Sequence, residues 1–128
     1  MKLSIACVAA TFITAAGLMA PLLAQQGAKR TELRTNDFPP GYQTVMALSE
    51  IAPGTCIGRH THPGTSNSYV LEGETVLKID GTPDQHLKAG DAIQIPAGVP
   101  HDDCTTSEVK YLNVHIVEKG KPRSSPAP

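Results

Sequence analysis

Two features of the sequence predict an all-β fold. Short apolar runs alternate with clusters of Gly, Pro, Asn and Asp at close intervals, and no stretch after the apolar N-terminus shows a helical period. Many short strands with regular turn signals are typical of a β-sandwich or a closed barrel. The 128 residues suffice for one domain. Because the chain has no Trp and few aromatic residues, its core should be aliphatic.

The first residues resemble a secretory signal peptide. Lys2 precedes an apolar, Ala-rich run over residues 3–20, and a small residue, Ala24, precedes a polar stretch. We predict a signal peptide over residues 1–24, cleaved after Ala24, and therefore a periplasmic or extracellular, secreted protein. The alternative is a membrane anchor, since the run is about as long as a bilayer span. Its Ala and Thr content favours the signal peptide, and Cys7 lies at the wrong end of the run for a lipoprotein.

The charge balance excludes one class of partner. Cleavage removes Lys2 from the 11 basic residues, leaving 10 against 12 acidic ones. A net charge near −2 provides no basic surface for nucleic acid, and no later segment is long and apolar enough to span a membrane. The expected partner is a small-molecule ligand or substrate, together with a second copy of the chain in a homodimer.

The strands are predicted in order from the turn signals. Residues 25–37 are expected to form a polar lead with a short edge strand around residues 32–34, and residues 38–118 the β-barrel domain. The strands of that domain are predicted at Tyr42–Ile51, Ser68–Leu71, Thr75–Ile79, Gln85–Leu87, Ala92–Ile95 and Glu108–Glu118. Asp80-Gly81 is a hairpin turn signal. Residues 119–128 have nothing apolar to bury and are predicted to be disordered.

Three histidines form the candidate site. His60 and His62 are two residues apart, a spacing that directs both side chains to one face of a strand. Two neutral imidazoles on one face are half of a metal site. His101, which follows the turn-rich residues 96–100, is the candidate third ligand. The alternative is a set of histidines that serves packing alone.

The spacing of these residues resembles the two sequence motifs of the cupin superfamily. The first motif is Gly54-x5-His60-x-His62 followed by Gly73, and the second is Gly90-x5-Pro96-x-Gly98-x2-His101. The resemblance runs from Gly54 to about Thr105, roughly half of the predicted mature chain, and is closest to small secreted single-domain cupins. It implies a double-stranded β-helix, or jelly-roll cupin barrel, with a metal inside the barrel.

The sequence departs from the cupin motifs at two positions. Where the first motif usually has a glutamate ligand, this chain has Ser66 or Asn67, and Thr105 replaces an Asn that is common after the second motif. The resemblance therefore carries over only His60, His62 and His101. Imidazole ligands suit Fe, Ni, Cu or Zn, and without the carboxylate the hold on Mn weakens.

A three-histidine site resembles the ligand set of thiol dioxygenases and leaves a coordination face open to water, substrate or dioxygen. The resulting hypothesis is a metal-dependent oxygenase or isomerase that acts on a small molecule, with its catalytic residues unassigned. The alternative is a non-catalytic ligand-binding or structural cupin. Since imidazoles must be neutral to bind, we expect metal affinity to fall below about pH 6.

Other polar residues have two interpretations each. His115 is a fourth ligand or a pocket acid–base group, or else a hydrogen-bonded, half-buried histidine. Asp103 orients a ligand histidine, or else is a solvated turn carboxylate. Tyr69 and Asn113 face the pocket, or else serve packing or the surface. His86, between turns, is expected to be exposed.

Two cysteines remain once Cys7 is removed with the signal peptide. An even pair in an oxidising compartment favours a disulfide. Strand parity argues against it, because Cys56 should face inward with His60 whereas Cys104 should face outward. We therefore expect two separate, semi-buried thiols.

Overall fold

The computed structural model describes residues 27–128, in which ten β-strands occur and no helix. The predicted signal peptide lies outside the described residues. The strands are β1 Ala28–Asn36, β2 Tyr42–Ile51, β3 His60–Thr61, β4 Ser66–Glu72, β5 Glu74–Ile79, β6 Gln85–Lys88, β7 Ala92–Ile95, β8 His101–Thr105, β9 Val109–Glu118 and β10 Ser125–Pro126. The predicted all-β class is confirmed. Residues 27–128 contain no helix long and apolar enough to cross a membrane.

The strands form two antiparallel sheets of five. The first sheet has the order β1-β2-β9-β4-β7 and the second the order β10-β3-β8-β5-β6. Chain neighbours are thus split between the sheets: β3 and β4 lie in different sheets, as do β7 and β8. Because β3 and β8 are neighbours in the second sheet, the candidate ligand histidines of both motifs lie on the same wall of the interior.

The long strands β2 and β9 show why the interior has two parts. Alternate residues of both strands are buried, as the period of two requires. Near the start of β9, Val109 and Tyr111 pack with Ile51 and Val70 in an apolar cluster. Further along the same face the buried residues are polar, with His115 opposite Val45. The aliphatic core therefore fills one part of the interior and leaves a polar wall beside it.

Steric constraints explain why the first motif ends in glycine. Gly73 adopts a φ of +82° between β4 and β5. A Cβ at this position would lie 1.9 Å from the carbonyl oxygen of Glu108. The left-handed conformation and the close approach both require glycine.

The two ends of the described chain differ from the prediction. The edge strand around residues 32–34 extends over Ala28–Asn36, with an irregular register between Glu32 and Arg34. The prediction of disorder over residues 119–128 was wrong, since Ser125–Pro126 pairs with β3 and the Ala127 N–H donates to the Arg59 carbonyl at 3.0 Å. Side-chain apolarity predicts such a segment poorly, because the segment is held by hydrogen bonds to the backbone N–H and C=O groups at the edge of β3.

The expectation of two free thiols was also wrong. Cys56 and Cys104 form a disulfide, with their Cα atoms 4.1 Å apart. The parity argument assumed a continuous strand from Cys56 to His60. Gly58, at a φ of +90°, interrupts that strand and resets the alternation. Cys56 consequently lies on the exposed side, where Cys104 also points.

Candidate metal centre and adjoining pocket

Strand pairing brings the three predicted histidines together. His60 in β3 and His101 in β8 are directly paired across the strands, and His62 immediately follows β3. The ring centroids are 4.2 Å apart for His60 and His101, 4.9 Å for His60 and His62, and 5.0 Å for His62 and His101. One ring nitrogen from each histidine lies within 4.8 Å of the others. We call this group the histidine triad.

Backbone carbonyls fix the tautomer of all three rings. Nδ1 of His60 lies 2.7 Å from the Gly58 oxygen, and Nδ1 of His101 lies 2.9 Å from the Val99 oxygen. Nδ1 of His62 lies 2.8 Å from the oxygen of Arg123, in the C-terminal segment. A carbonyl only accepts, so each Nδ1 carries the proton and each Nε2 keeps its lone pair. Holding the second nitrogen in this way is how proteins orient metal-binding histidines.

Burial favours the neutral form of two of the candidate ligands. The pKa of His62 is lowered to about 4, chiefly by burial and further by the neighbouring histidines. Burial likewise lowers the pKa of His101. A neutral imidazole is the form that binds a metal ion, so these two residues are ready to bind at neutral pH.

The donor set of the triad fits a transition metal. Three neutral nitrogen donors converge, and such sites suit Fe, Ni, Cu and Zn. Ser66, at a position where cupins commonly carry glutamate, is 2% exposed. It points inward as that glutamate would, but a serine hydroxyl is a weak ligand. The set is therefore limited to three imidazoles, which leaves coordination positions for a further molecule.

The triad forms one wall of a cavity of about 80 Å³. The facing wall comes from all five strands of the first sheet, β1, β2, β9, β4 and β7. A water molecule occupies about 10–15 Å³ by this measure, so the cavity has room for roughly six waters or one compact organic molecule.

His115 lies in this cavity, beside the triad. Its ring centroid is 4.9 Å from that of His62, and the residue is 3% exposed. Neither ring nitrogen has a hydrogen-bond partner. Its pKa is lowered to about 3, mainly by burial and then by the charges of His62, Arg30 and Arg123. His115 does not join the triad in one cluster of ligand atoms among the described residues, and its predicted role as a hydrogen-bonded, half-buried histidine was wrong.

A chain of polar groups crosses the wall opposite the triad. Ser68 Oγ donates to Asn113 Oδ1 at 2.6 Å, and Asn113 Nδ2 donates to Ser49 Oγ at 2.8 Å. Arg30 Nε donates to the same Ser49 oxygen at 3.2 Å. Asn113 thus faces the pocket. Sequence analysis missed Ser49 and Arg30, although the alternation of β2 puts Ser49 on the same face as buried Ala47 and Ile51.

Asp103 is the acidic residue that lines the cavity. Its oxygens accept hydrogen bonds from the Thr75 hydroxyl and, at 2.6 Å, from the Tyr111 hydroxyl. Burial raises its pKa, while these hydrogen bonds act in the opposite direction. Asp103 does not orient a triad histidine, since backbone carbonyls occupy every Nδ1. Tyr69 and His86 are both exposed, as expected for His86.

Residues 47–115 match the Cupin domain family. The chain belongs to the cupin family. Together with the two five-stranded sheets, this membership confirms the predicted double-stranded β-helix.

Several known proteins resemble parts of this cupin. A 69-residue stretch, 53% of the chain, is 42% identical to the HTH-type transcriptional regulator PuuR of Escherichia coli K12. That stretch covers 37% of the regulator, so this chain matches little more than a third of its length. A cupin superfamily protein from Desulfitobacterium hafniense DCB-2 superposes with a TM-score of 0.63 at 19% identity, covering 73% of this chain and 81% of that one. The DMSP lyase DddQ from Ruegeria pomeroyi DSS-3 gives a TM-score of 0.67 at 19% identity, covering 79% and 52%. At these identities the structures show a shared fold.

Proposed function

We propose that this cupin holds a divalent transition metal on His60, His62 and His101 and binds a small molecule on the open side of that metal. The observation that carries the proposal is the set of three Nδ1–H···O=C hydrogen bonds. They leave Nε2 of each ring available to bind a metal, and one ring nitrogen of each histidine lies within 4.8 Å of the others. Histidines kept only for packing would not need all three tautomers fixed in the same sense.

The cavity supports a small-molecule ligand. It adjoins the triad directly, and its volume of about 80 Å³ suits a compact molecule. Its walls combine apolar side chains such as Ile93 and Ile95 with a few polar groups, the usual composition of ligand pockets.

When bound, the metal would supply Lewis-acid polarisation of a ligand oxygen or activation of dioxygen. Around it, the chain contributes the groups that hold the ligand. Asp103 lines the cavity, and because burial raises its pKa, its carboxylate is a candidate acceptor for a proton from the bound molecule. These features favour oxygenase or isomerase chemistry on a small molecule.

The test of the site is metal binding by the full chain without a purification tag. We expect about one equivalent of Zn²⁺ or Fe²⁺ per chain, and loss of that binding in the His60→Ala, His62→Ala double variant. His86→Ala is the matched control, because His86 is exposed and lies outside the cavity. Equal metal content in the double variant and the control would refute the proposed site.

The second candidate function is ligand binding without turnover. It is favoured by the 42% identity to part of a protein whose name describes a transcriptional regulator and not an enzyme. Incubating the metal-loaded protein with a ligand that it binds, under air, distinguishes the two functions. If the ligand is recovered unchanged after prolonged incubation at a saturating concentration, the protein only binds it. A product that forms only when the triad is intact supports an enzyme.

We also propose that the protein is exported to the periplasm or the cell exterior after cleavage at Ala24. The Cys56–Cys104 disulfide supports this, because stable disulfides are typical of oxidising compartments. Mass spectrometry of the protein recovered from the cell envelope and medium should find an N-terminus at Gln25. An intact N-terminus on cytoplasmic protein would contradict export.

A further inference from the structure

The wall opposite the triad presents hydrogen-bond donors without enough acceptors. Ser49 Oγ accepts from both Arg30 Nε and Asn113 Nδ2. Its own hydroxyl proton is therefore left to donate elsewhere. Arg30 lines the cavity although it is exposed, so its four further N–H groups are open to solvent or to a molecule in the cavity.

His115 adds a donor in the same region. Its imidazole is almost fully buried, and both nitrogens lack a partner. A buried polar atom without a hydrogen bond costs about 1–3 kcal/mol. Such a group inside a cavity points to a molecule that fills the cavity and accepts the bond.

The charge around these donors is positive and uncompensated. Within the described part of the chain, neither Arg30 nor Arg123 forms an ion pair, and the Arg123 Nη1 atom is buried without a partner. Asp103 cannot neutralise them, since it lies in the other sheet and its oxygens bind Thr75 and Tyr111.

We propose that Arg30, Ser49 and His115 form an anion subsite that binds the carboxylate of a compact organic acid. A carboxylate supplies the acceptors that this wall lacks, and its charge offsets that of Arg30. The acid's second oxygen group, a hydroxyl or carbonyl, would lie toward the triad. This inference rests on the proposed function, because the metal held by the triad would bind the end of the acid opposite its carboxylate.

Size limits the acid. The cavity of about 80 Å³ accommodates roughly six water-sized groups. That volume suits an acid of two to four carbons with one further oxygen substituent. Since Arg30 lies on the edge strand β1, the acid would contact a strand outside residues 47–115 that match the family.

The experiment is an NMR titration of the full chain with glycolate and with its neutral analogue glycolamide, with and without Zn²⁺. We expect wild type to bind glycolate at least about tenfold more tightly than glycolamide, as a charge-assisted hydrogen bond requires. Arg30→Gln should remove that preference. The matched control is Arg34→Gln, which removes the same charge from a position on the same strand that does not line the cavity. His115→Leu should weaken glycolate binding through loss of the imidazole donor.

The two proposals fail separately. If the metal-free protein prefers glycolate, and Arg30→Gln removes the preference, the anion subsite stands even if Zn²⁺ fails to bind. If Zn²⁺ binds but glycolate and glycolamide bind equally, or neither binds, the anion subsite is refuted and the metal site remains. An unchanged preference in Arg30→Gln also refutes it. Should His115→Leu fail to fold, Arg30→Gln and Arg34→Gln still decide the result.

Discussion

The C-terminal segment should control metal affinity through a single backbone carbonyl. The Arg123 oxygen accepts the Nδ1 proton of His62 at 2.8 Å, across 61 residues of sequence. Deleting residues 123–128 removes that acceptor and frees the His62 ring to rotate or to change tautomer. Loss of such an orienting partner typically costs 10–100-fold in metal affinity, or about 1.4–2.7 kcal/mol.

Competition titration against a chromophoric chelator measures this loss as a change in Zn²⁺ dissociation constant. Two controls separate the carbonyl from other effects of the deletion. Arg123→Ala keeps the carbonyl and should bind Zn²⁺ within about threefold of wild type, because the contact to His62 comes from the Arg123 backbone oxygen and not from its side chain. Deleting only residues 126–128 removes the backbone contacts to Arg59 but keeps the acceptor, and should behave likewise.

Two results would refute this reasoning. One is a folded 123–128 deletion that binds Zn²⁺ as tightly as wild type. The other is an equal loss in the 126–128 deletion, which would assign the effect to the pairing of β10 with β3 instead of to the Arg123 carbonyl.

Three further predictions concern stability. Reducing the disulfide, which closes a sequence separation of 48, should lower the free energy of unfolding by up to about 4 kcal/mol in urea titrations, whereas a Cys-free variant should not respond to reductant. The pKa values of His62 and His115 are lowered from 6.5 to about 4 and about 3, so the unfolded chain binds more protons between these values. The metal-free protein should therefore lose stability as the pH falls from about 6.5 toward 4, partly offset by the raised pKa of Asp103; a flat unfolding profile would contradict this. Gly73→Ala should destabilise the protein by more than about 2 kcal/mol. Gly81 has a similar φ but open space around it, so Gly81→Ala should cost only about 1 kcal/mol. Equal melting temperatures for the two variants would exclude the predicted clash.

Sequence reasoning could find the triad because its spacing carries the information. His60 and His101 face the interior through strand parity and are paired directly across β3 and β8. The three carbonyl groups that accept the Nδ1 protons could not be predicted from the sequence. Backbone carbonyls leave no signature in side-chain sequence, and the Arg123 carbonyl is 61 residues from the ring that it orients.

The errors share one physical cause, the assumption that local pattern continues unbroken. Parity failed for Cys56 because Gly58 resets the alternation before His60. Composition failed for the C-terminal tail because β10 forms through backbone hydrogen bonds, which need no apolar side chains. Arg30 was overlooked for the same reason, as a polar stretch was assigned to a lead although it forms the edge strand beside β2.

The pH dependence of metal binding also changes once burial is known. The sequence predicts loss of affinity below about pH 6, the range of an exposed imidazole. Because the pKa of His62 is lowered to about 4 and that of His101 is also lowered, proton competition at these two ligands should begin at a lower pH. Zn²⁺ affinity measured from pH 7 to pH 4 tests this shift.

The central claim is that three imidazoles hold the metal, and X-ray absorption spectroscopy of the Zn²⁺-loaded protein tests it most directly. We expect three imidazole nitrogens at about 2.0–2.1 Å, with the remaining ligands being light atoms such as oxygen and no sulfur. In His62→Ala the imidazole count should fall to two. A wild-type spectrum with sulfur ligands, or with an imidazole count that the loss of His62 leaves unchanged, would contradict the account.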